Sequence, residues 1–138
     1  MKSIRILILE DDLKTLSNLL DRLYILEKKL LNLPEKTDLF ITILSEYKQV
    51  EEYINKNNST QYDIVLLDRD CKAGGSFHIL DTKKIGIDKI VGISSIPEYN
   101  EKLRKLGINK IVNKNYSHLD DFANNVIILI ENLIKKIS

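Results

Sequence analysis

Apolar residues in this chain come in two kinds of stretch that alternate along its length. Some are short unbroken runs. Others recur every three or four positions. The runs Ile4-Arg5-Ile6-Leu7-Ile8-Leu9 and Tyr62-Asp63-Ile64-Val65-Leu66-Leu67 belong to the first kind. A continuous apolar run rich in β-branched residues predicts a strand buried on both faces, as in a parallel sheet. Asp38 to Leu44, Asp88 to Ile93 and Ile108 to Val112 read as three further strands.

Between these runs the periodicity changes to that of helices. Leu13, Leu16, Leu20, Leu23 and Leu30 form one stripe, widened by Leu19, Leu26 and Leu31, and predict a long helix over about residues 13–32. Asp11 or Asp12 can cap its start, and Leu33-Pro34 ends it. Ser45 can cap a shorter helix running through Val50, Tyr53 and Ile54, followed by the loop Asn57-Asn58-Ser59-Thr60. Pro97 suits the start of a helix that Gly107 stops. Leu119 to Ile137 predicts a last helix with a broad apolar face. The stretch Arg69 to Ser76, with Gly74-Gly75, reads as a loop, and Phe77 to Leu80 as a short helix or extended piece. Strands alternating with helices five times imply βαβ units with right-handed crossovers in a parallel α/β sheet.

Bulk composition narrows the class without naming a function. At 138 residues, 43% hydrophobic and 30% charged, the chain suits one globular domain, expected over residues 1–138 with no output domain attached. A net charge of +1 gives no reason to expect direct contact with nucleic acid or an anionic membrane. The apolar N-terminal run is too short for a signal peptide and ends in three acids. No apolar stretch approaches the roughly 20 residues of a membrane helix. The lone Cys71 cannot close an internal disulfide, so a cytoplasmic location is expected.

The chemistry gathers at the carboxyl ends of the predicted strands, the edge where open α/β sheets bind ligands. The first strand delivers Glu10, Asp11 and Asp12. The third delivers Asp68, followed by Asp70. The fourth gives Ser94 and Ser95, and the fifth leads to Lys114. Oxygen ligands suit Mg²⁺. Carboxylates for a metal, a hydroxyl to donate a hydrogen bond and an ammonium to neutralise phosphoryl oxygens make a set suited to phosphoryl transfer. An aspartate can itself attack phosphorus, and Asp68, central and behind the most apolar strand, is the candidate nucleophile.

In this order the motifs resemble the receiver domain of bacterial two-component response regulators. Ile-Leu-Ile-Leu-Glu10-Asp11-Asp12 resembles the family's opening acidic pair, and Tyr-Asp-Ile-Val-Leu-Leu-Asp68 its phosphoacceptor strand. Val-Gly-Ile-Ser94-Ser95 stands where the family has its hydroxyl residue, and Gly107-Ile-Asn-Lys-Ile-Val-Asn-Lys114 resembles its closing segment. The resemblance spans essentially the whole chain. It implies a flavodoxin-like, doubly wound five-stranded parallel sheet in the order 2-1-3-4-5, with helices on both faces. It further implies that Glu10, Asp11, Asp68 and the backbone carbonyl of Asp70 bind Mg²⁺, that Asp68 is phosphorylated, and that Ser94 and Lys114 contact the phosphoryl group. A sensor histidine kinase or phosphotransfer protein would supply that group, and a separate downstream protein would read the resulting switch. Four departures stand out. Asn115 replaces the usual proline after the lysine, and Ile111 the frequent aromatic three residues before it. The loop after Asp68 lacks the usual proline and acid–glycine pair, and the short spacing from Asp68 to Ser94 leaves room for only a shortened third helix.

Other readings use the same residues. Asp68-Arg69-Asp70 also resembles the nucleophile and acid–base pair of haloacid-dehalogenase phosphatases, with Ser94 and Lys114 following in that family's order; there the chain would be an enzyme, whereas a receiver is labelled once and does not turn over. A degenerate receiver would serve as a docking module without phosphorylation. At single residues, Asp12 reads as a helix cap, Cys71 as a packed thiol, and His78 and His118 as surface or packing residues. The surplus leucines of the first helix offer a surface for a homodimer.

Overall fold

Parity along the two most buried strands sets the layers. In the computed structural model, which describes residues 1–57, 61–72 and 74–137, strand β1 covers Lys2–Leu9 and strand β3 covers Ile64–Leu67. Ile4, Ile6, Ile8, Ile64 and Leu66 point to one face of the sheet, and Leu7, Leu9, Val65 and Leu67 to the other. All nine are fully buried, so both faces must be covered.

The remaining strands are β2 (Thr37–Leu44), β4 (Ile90–Gly92) and β5 (Lys110–Ile111). All pairings are parallel and the order is β2-β1-β3-β4-β5, the doubly wound topology that the family resemblance implied. Helices α1 (Leu13–Leu31) and α5 (Leu119–Ile137) pack together on the first face. The second face is covered by α2 (Tyr47–Gln49), α3 (Thr82–Ile85) and α4 (Pro97–Lys105), with Val50, Ile54, Phe77, Leu80, Leu103 and Ile108 filling the core.

Three local expectations change. On α1 the buried stripe is Leu16, Leu19, Leu23, Leu26 and Leu30, whereas Leu13 and Leu20 are 74% and 37% exposed. Alternating steps of three and four follow one narrow line along a helix, and Leu13 and Leu20 lie beside that line. Glu46, not Ser45, takes the cap position of α2 and makes no side-chain cap bond. The helix then continues as a π turn, Val50–Asn55, which buries Val50 and Ile54 and leaves Tyr53 exposed. Asn58, Ser59 and Thr60 of the expected loop lie outside the described residues, as does Ala73.

The crossover from β3 to β4 is as short as the spacing required. It holds a 3₁₀ turn (Phe77–Ile79), the single turn of α3 and a second 3₁₀ turn (Ile87–Lys89). Pro97 opens α4, as expected. No helix among the described residues is long and apolar enough to cross a membrane.

Candidate functional site

The sheet's hydrogen-bond ladder runs one step past the strands, and that step carries the site. Asp68 donates its backbone N–H to the Leu9 carbonyl (3.1 Å), Ile93 to Leu67 (3.0 Å) and Lys114 to Ser94 (3.0 Å). The residues that follow the strands are therefore fixed as firmly as the strands themselves. Glu10, Asp68, Ser94 and Lys114 are all buried, at 0%, 4%, 1% and 4% exposure.

Lys114 sits at the centre. Its Nζ donates to Glu10 Oε1 and, at 3.1 Å, to Asp68 Oδ2. The other oxygen of each carboxylate is held by backbone. Glu10 Oε2 accepts from the N–H groups of Asp11 (3.0 Å) and Asp12 (3.1 Å), and Asp68 Oδ1 from Arg69 (2.8 Å). Two buried carboxylates share one ammonium, so negative charge is in excess. Burial, reinforced by the neighbouring Asp68 charge, pushes Glu10 up to about 7 despite the lysine. Asp68 is likewise raised, chiefly by burial, with Lys114 opposing. The two acids hold Lys114 in its charged form, well above its usual range although burial works against it. Tyr116 covers this group, its ring centre 5.4 Å from Lys114 Nζ.

The outer acids are arranged differently. Asp11 accepts a hydrogen bond from the backbone N–H of Lys72, which ties the loop after Asp68 to the end of β1. Asp12 caps α1 through the N–H (2.9 Å) and hydroxyl (2.6 Å) of Thr15, and these bonds lower its pKa. Asp70 bridges Ser76 through the backbone, while its half-exposed carboxylate lies 3.8 Å from Arg69. Arg69 itself stacks on Tyr99 of α4, 3.7 Å from the ring centre.

Cys71 is half-buried, and burial with the charges of Asp11, Asp68 and Asp70 pushes its thiol up to about 11. A thiol kept protonated in this way is a poor nucleophile, in keeping with a packing role. His118, Asp120 and Asp121, all exposed at the start of α5, bring ligand atoms within 4.8 Å of one another. They lie outside the constellation around Lys114.

Ser94 is joined to this group through its backbone carbonyl, which accepts from the Lys114 N–H. Its Oγ accepts from the Ile96 N–H at 3.2 Å. Ser95, the competing hydroxyl, is only partly buried. Three residues at the site were not singled out from sequence: Asn100, Asn113 and Tyr116. A buried asparagine inside an otherwise amphipathic helix is a weak signal, since only packing reveals which face it lies on.

Comparison with known proteins bears on the fold. No family model matches the chain, and no curated protein matches it. Among solved structures, the bacteriophytochrome response regulator AtBRR aligns over 91% of this chain and 93% of its own, at 18% identity and a TM-score of 0.59. The BeF3-activated N-terminal receiver domain of Klebsiella pneumoniae RstA aligns over 94% and 97%, at 17% identity and 0.55. The fold is that of a response-regulator receiver domain. A two-component response regulator from Cytophaga hutchinsonii, at 15% identity, extends the receiver likeness to 98% of this chain and 99% of its own, with a TM-score of 0.54. Receiver-type topology puts the ends of β1, β3, β4 and β5 side by side. That is why Glu10, Asp68, Ser94 and Lys114 meet although they are spread over most of the chain.

Proposed function

We propose that this chain is a phosphorylatable receiver module whose acceptor is Asp68. The observation that carries the reading is the buried bridge from Lys114 to both Glu10 and Asp68 at the carboxyl edge of a receiver-type sheet. Burying three charged side chains together costs stability that an apolar core would not lose, so the group calls for a chemical purpose.

Asp68 Oδ would form a bond to phosphorus as the bond from phosphorus to the donor imidazole breaks, the imidazole nitrogen keeping the electron pair. Lys114 Nζ, already on Asp68 Oδ2, is placed to follow the transferred group and hold a phosphoryl oxygen. The Ser94 hydroxyl keeps a proton to donate to another. The donor set fits a hard divalent cation: every candidate ligand is oxygen, and the buried carboxylates of Glu10 and Asp68 outnumber the single ammonium of Lys114. Glu10, Asp11, Asp68 and the backbone carbonyl of Asp70 would hold Mg²⁺, which supplies charge neutralisation for the phosphoryl oxygens. The donor is a sensor histidine kinase or phosphotransfer protein. Phosphorylation is stoichiometric, shifts a conformational equilibrium, and is read by a separate protein rather than by nucleic acid. The setting is the cytoplasm, where a lone thiol stays reduced.

Intact-mass measurement after incubation with phosphoramidate tests this. The expected result is a gain of one phosphoryl group that requires Mg²⁺ and is absent in Asp68→Asn. A folded wild-type protein that gains nothing would sink the reading in favour of a docking module. Continuous release of inorganic phosphate without accumulation of label would favour the phosphatase.

A further inference from the structure

Asn100 lies on α4 and is 0% exposed. With Leu103 it forms the buried face of that helix, where the fold alone would be served by a second leucine. Burying a carboxamide costs free energy unless its hydrogen bonds are made. Here three are made, and two of them go to Ser94. Asn100 Oδ1 accepts from the Ser94 N–H (3.3 Å), and Nδ2 donates to the Ser94 carbonyl (3.1 Å). Its second N–H donates to Asn113 Oδ1 at 2.7 Å. Ser94 presents one donor and one acceptor, so the carboxamide fits in a single orientation.

The contacts of Asn100 converge on one residue. The Ser94 carbonyl also accepts from the Lys114 N–H (3.0 Å). One side chain therefore clamps both backbone groups of Ser94 and ties them to the Asn113–Lys114 segment. The helix comes close enough because Gly92 has no side chain: a Cβ there would lie 3.2 Å from Asn100 Oδ1 and 2.7 Å from Leu103 Cδ1.

We propose that Asn100 is a positioning residue for the phosphoryl-transfer site, fixing Ser94 relative to Lys114 so that its hydroxyl meets the phosphoryl group on Asp68. The inference rests on the reading of Asp68 as phosphoacceptor and extends it to a residue that touches neither the acceptor nor the phosphoryl group. A hydroxyl on an unclamped loop would donate in only a fraction of conformations, and small displacements at a reacting centre carry large rate costs.

The test is the rate of label uptake from phosphoramidate at saturating Mg²⁺, in wild type, Asn100→Leu, Ser94→Ala and the double variant. Asn100→Leu keeps the number and branching of the side-chain heavy atoms and removes all three bonds. The rate is expected to fall about tenfold, with Mg²⁺ affinity by calorimetry unchanged and with Ser94→Ala costing far less in the double variant than alone. An amide that only supports the fold would lower the melting temperature and leave both the uptake rate and the cost of Ser94→Ala as in wild type; that outcome overturns the inference. If Asn100→Leu does not fold, the unaltered protein decides by NMR. The side-chain amide resonances of Asn100 must then move on addition of beryllofluoride with Mg²⁺, while those of exposed Asn125 stay in place, and no movement at Asn100 overturns it. Wild-type protein that takes up neither label nor beryllofluoride would instead overturn the phosphoacceptor reading itself.

Discussion

Lys114 is the residue on which the charge balance of the site depends. Its Nζ is fully buried between Glu10 and Asp68. Removing one partner of a buried ionic group leaves the others uncompensated and costs about 3–5 kcal/mol. Lys114→Met is therefore expected to lose about 3 kcal/mol or more of unfolding free energy at pH 8. The pH dependence has a definite sign. Glu10 already holds a proton up to about pH 7 in the folded state, against an ordinary value of 4.5. The stability it contributes is full below the ordinary value and lost as pH rises through about 7. Without the ammonium both carboxylates rise further, so the penalty of Lys114→Met should be largest above pH 7 and shrink toward pH 5. Urea melts of both proteins across that range check this; a pH-independent penalty would mean that the lysine matters for packing rather than charge.

At the scale of elements, the loop between β3 and α3 is locked by shape as well as by the hydrogen bond from Lys72 to Asp11. Gly75 lies flat against Tyr47: a Cβ there would come within 2.0 Å of the ring's Cδ1 and 2.5 Å of Cγ. Those atoms are near the root of the side chain, so the ring cannot swing clear without disturbing the second core, where Tyr47 and Cys71 pack. Gly75→Ala is expected to cost about 1–3 kcal/mol by overpacking. In a Tyr47→Ala background the same substitution should cost little, and denaturant melts of the four proteins measure the difference. Equal costs in both backgrounds would show that the ring is not the obstacle. Elsewhere the element order was legible because strand and helix periodicities depend only on local backbone geometry. The π turn after α2 was not, since nothing in Val50 to Asn55 marks a change of winding until the helix packs.

For the whole molecule, acid sensitivity should trace in part to His78. It is half-buried, its Nε2 lacks a hydrogen-bond partner, and burial, helped by the Arg69 charge, lowers its pKa to about 4. The unfolded chain binds a proton near 6.5 that the folded protein refuses, so this contribution to stability is full above pH 6.5 and lost as pH falls toward 4. Partial solvent access reduces the effect to about 2 kcal/mol. Between pH 7.5 and 4.5, wild type should therefore lose about 2 kcal/mol more than His78→Gln. Glu10 acts in the opposite direction but is common to both proteins and cancels in the comparison. An identical loss in the two proteins would assign the acid sensitivity to other groups.

The sequence by itself determined the alternation of strands and helices, the buried central strands and the acids at their carboxyl ends. Each follows from residues near one another in the chain: continuous apolar runs need two covered faces, and a strand delivers its next residue to the sheet's edge. It also marked Ser94, which directly follows a short apolar run, and Lys114, which comes two positions after the last apolar residue of the fifth strand segment. Only the tertiary structure decided that Lys114 joins Glu10 across 104 positions, that Asp70 turns outward toward Arg69, that Leu13 and Leu20 stay in solvent, and that Asn100 grips Ser94. Those outcomes depend on which strand ends lie side by side and how closely a helix approaches them. A pairwise contact between distant residues leaves no periodic trace in either one's neighbourhood; it exists only once the sheet order brings the two together.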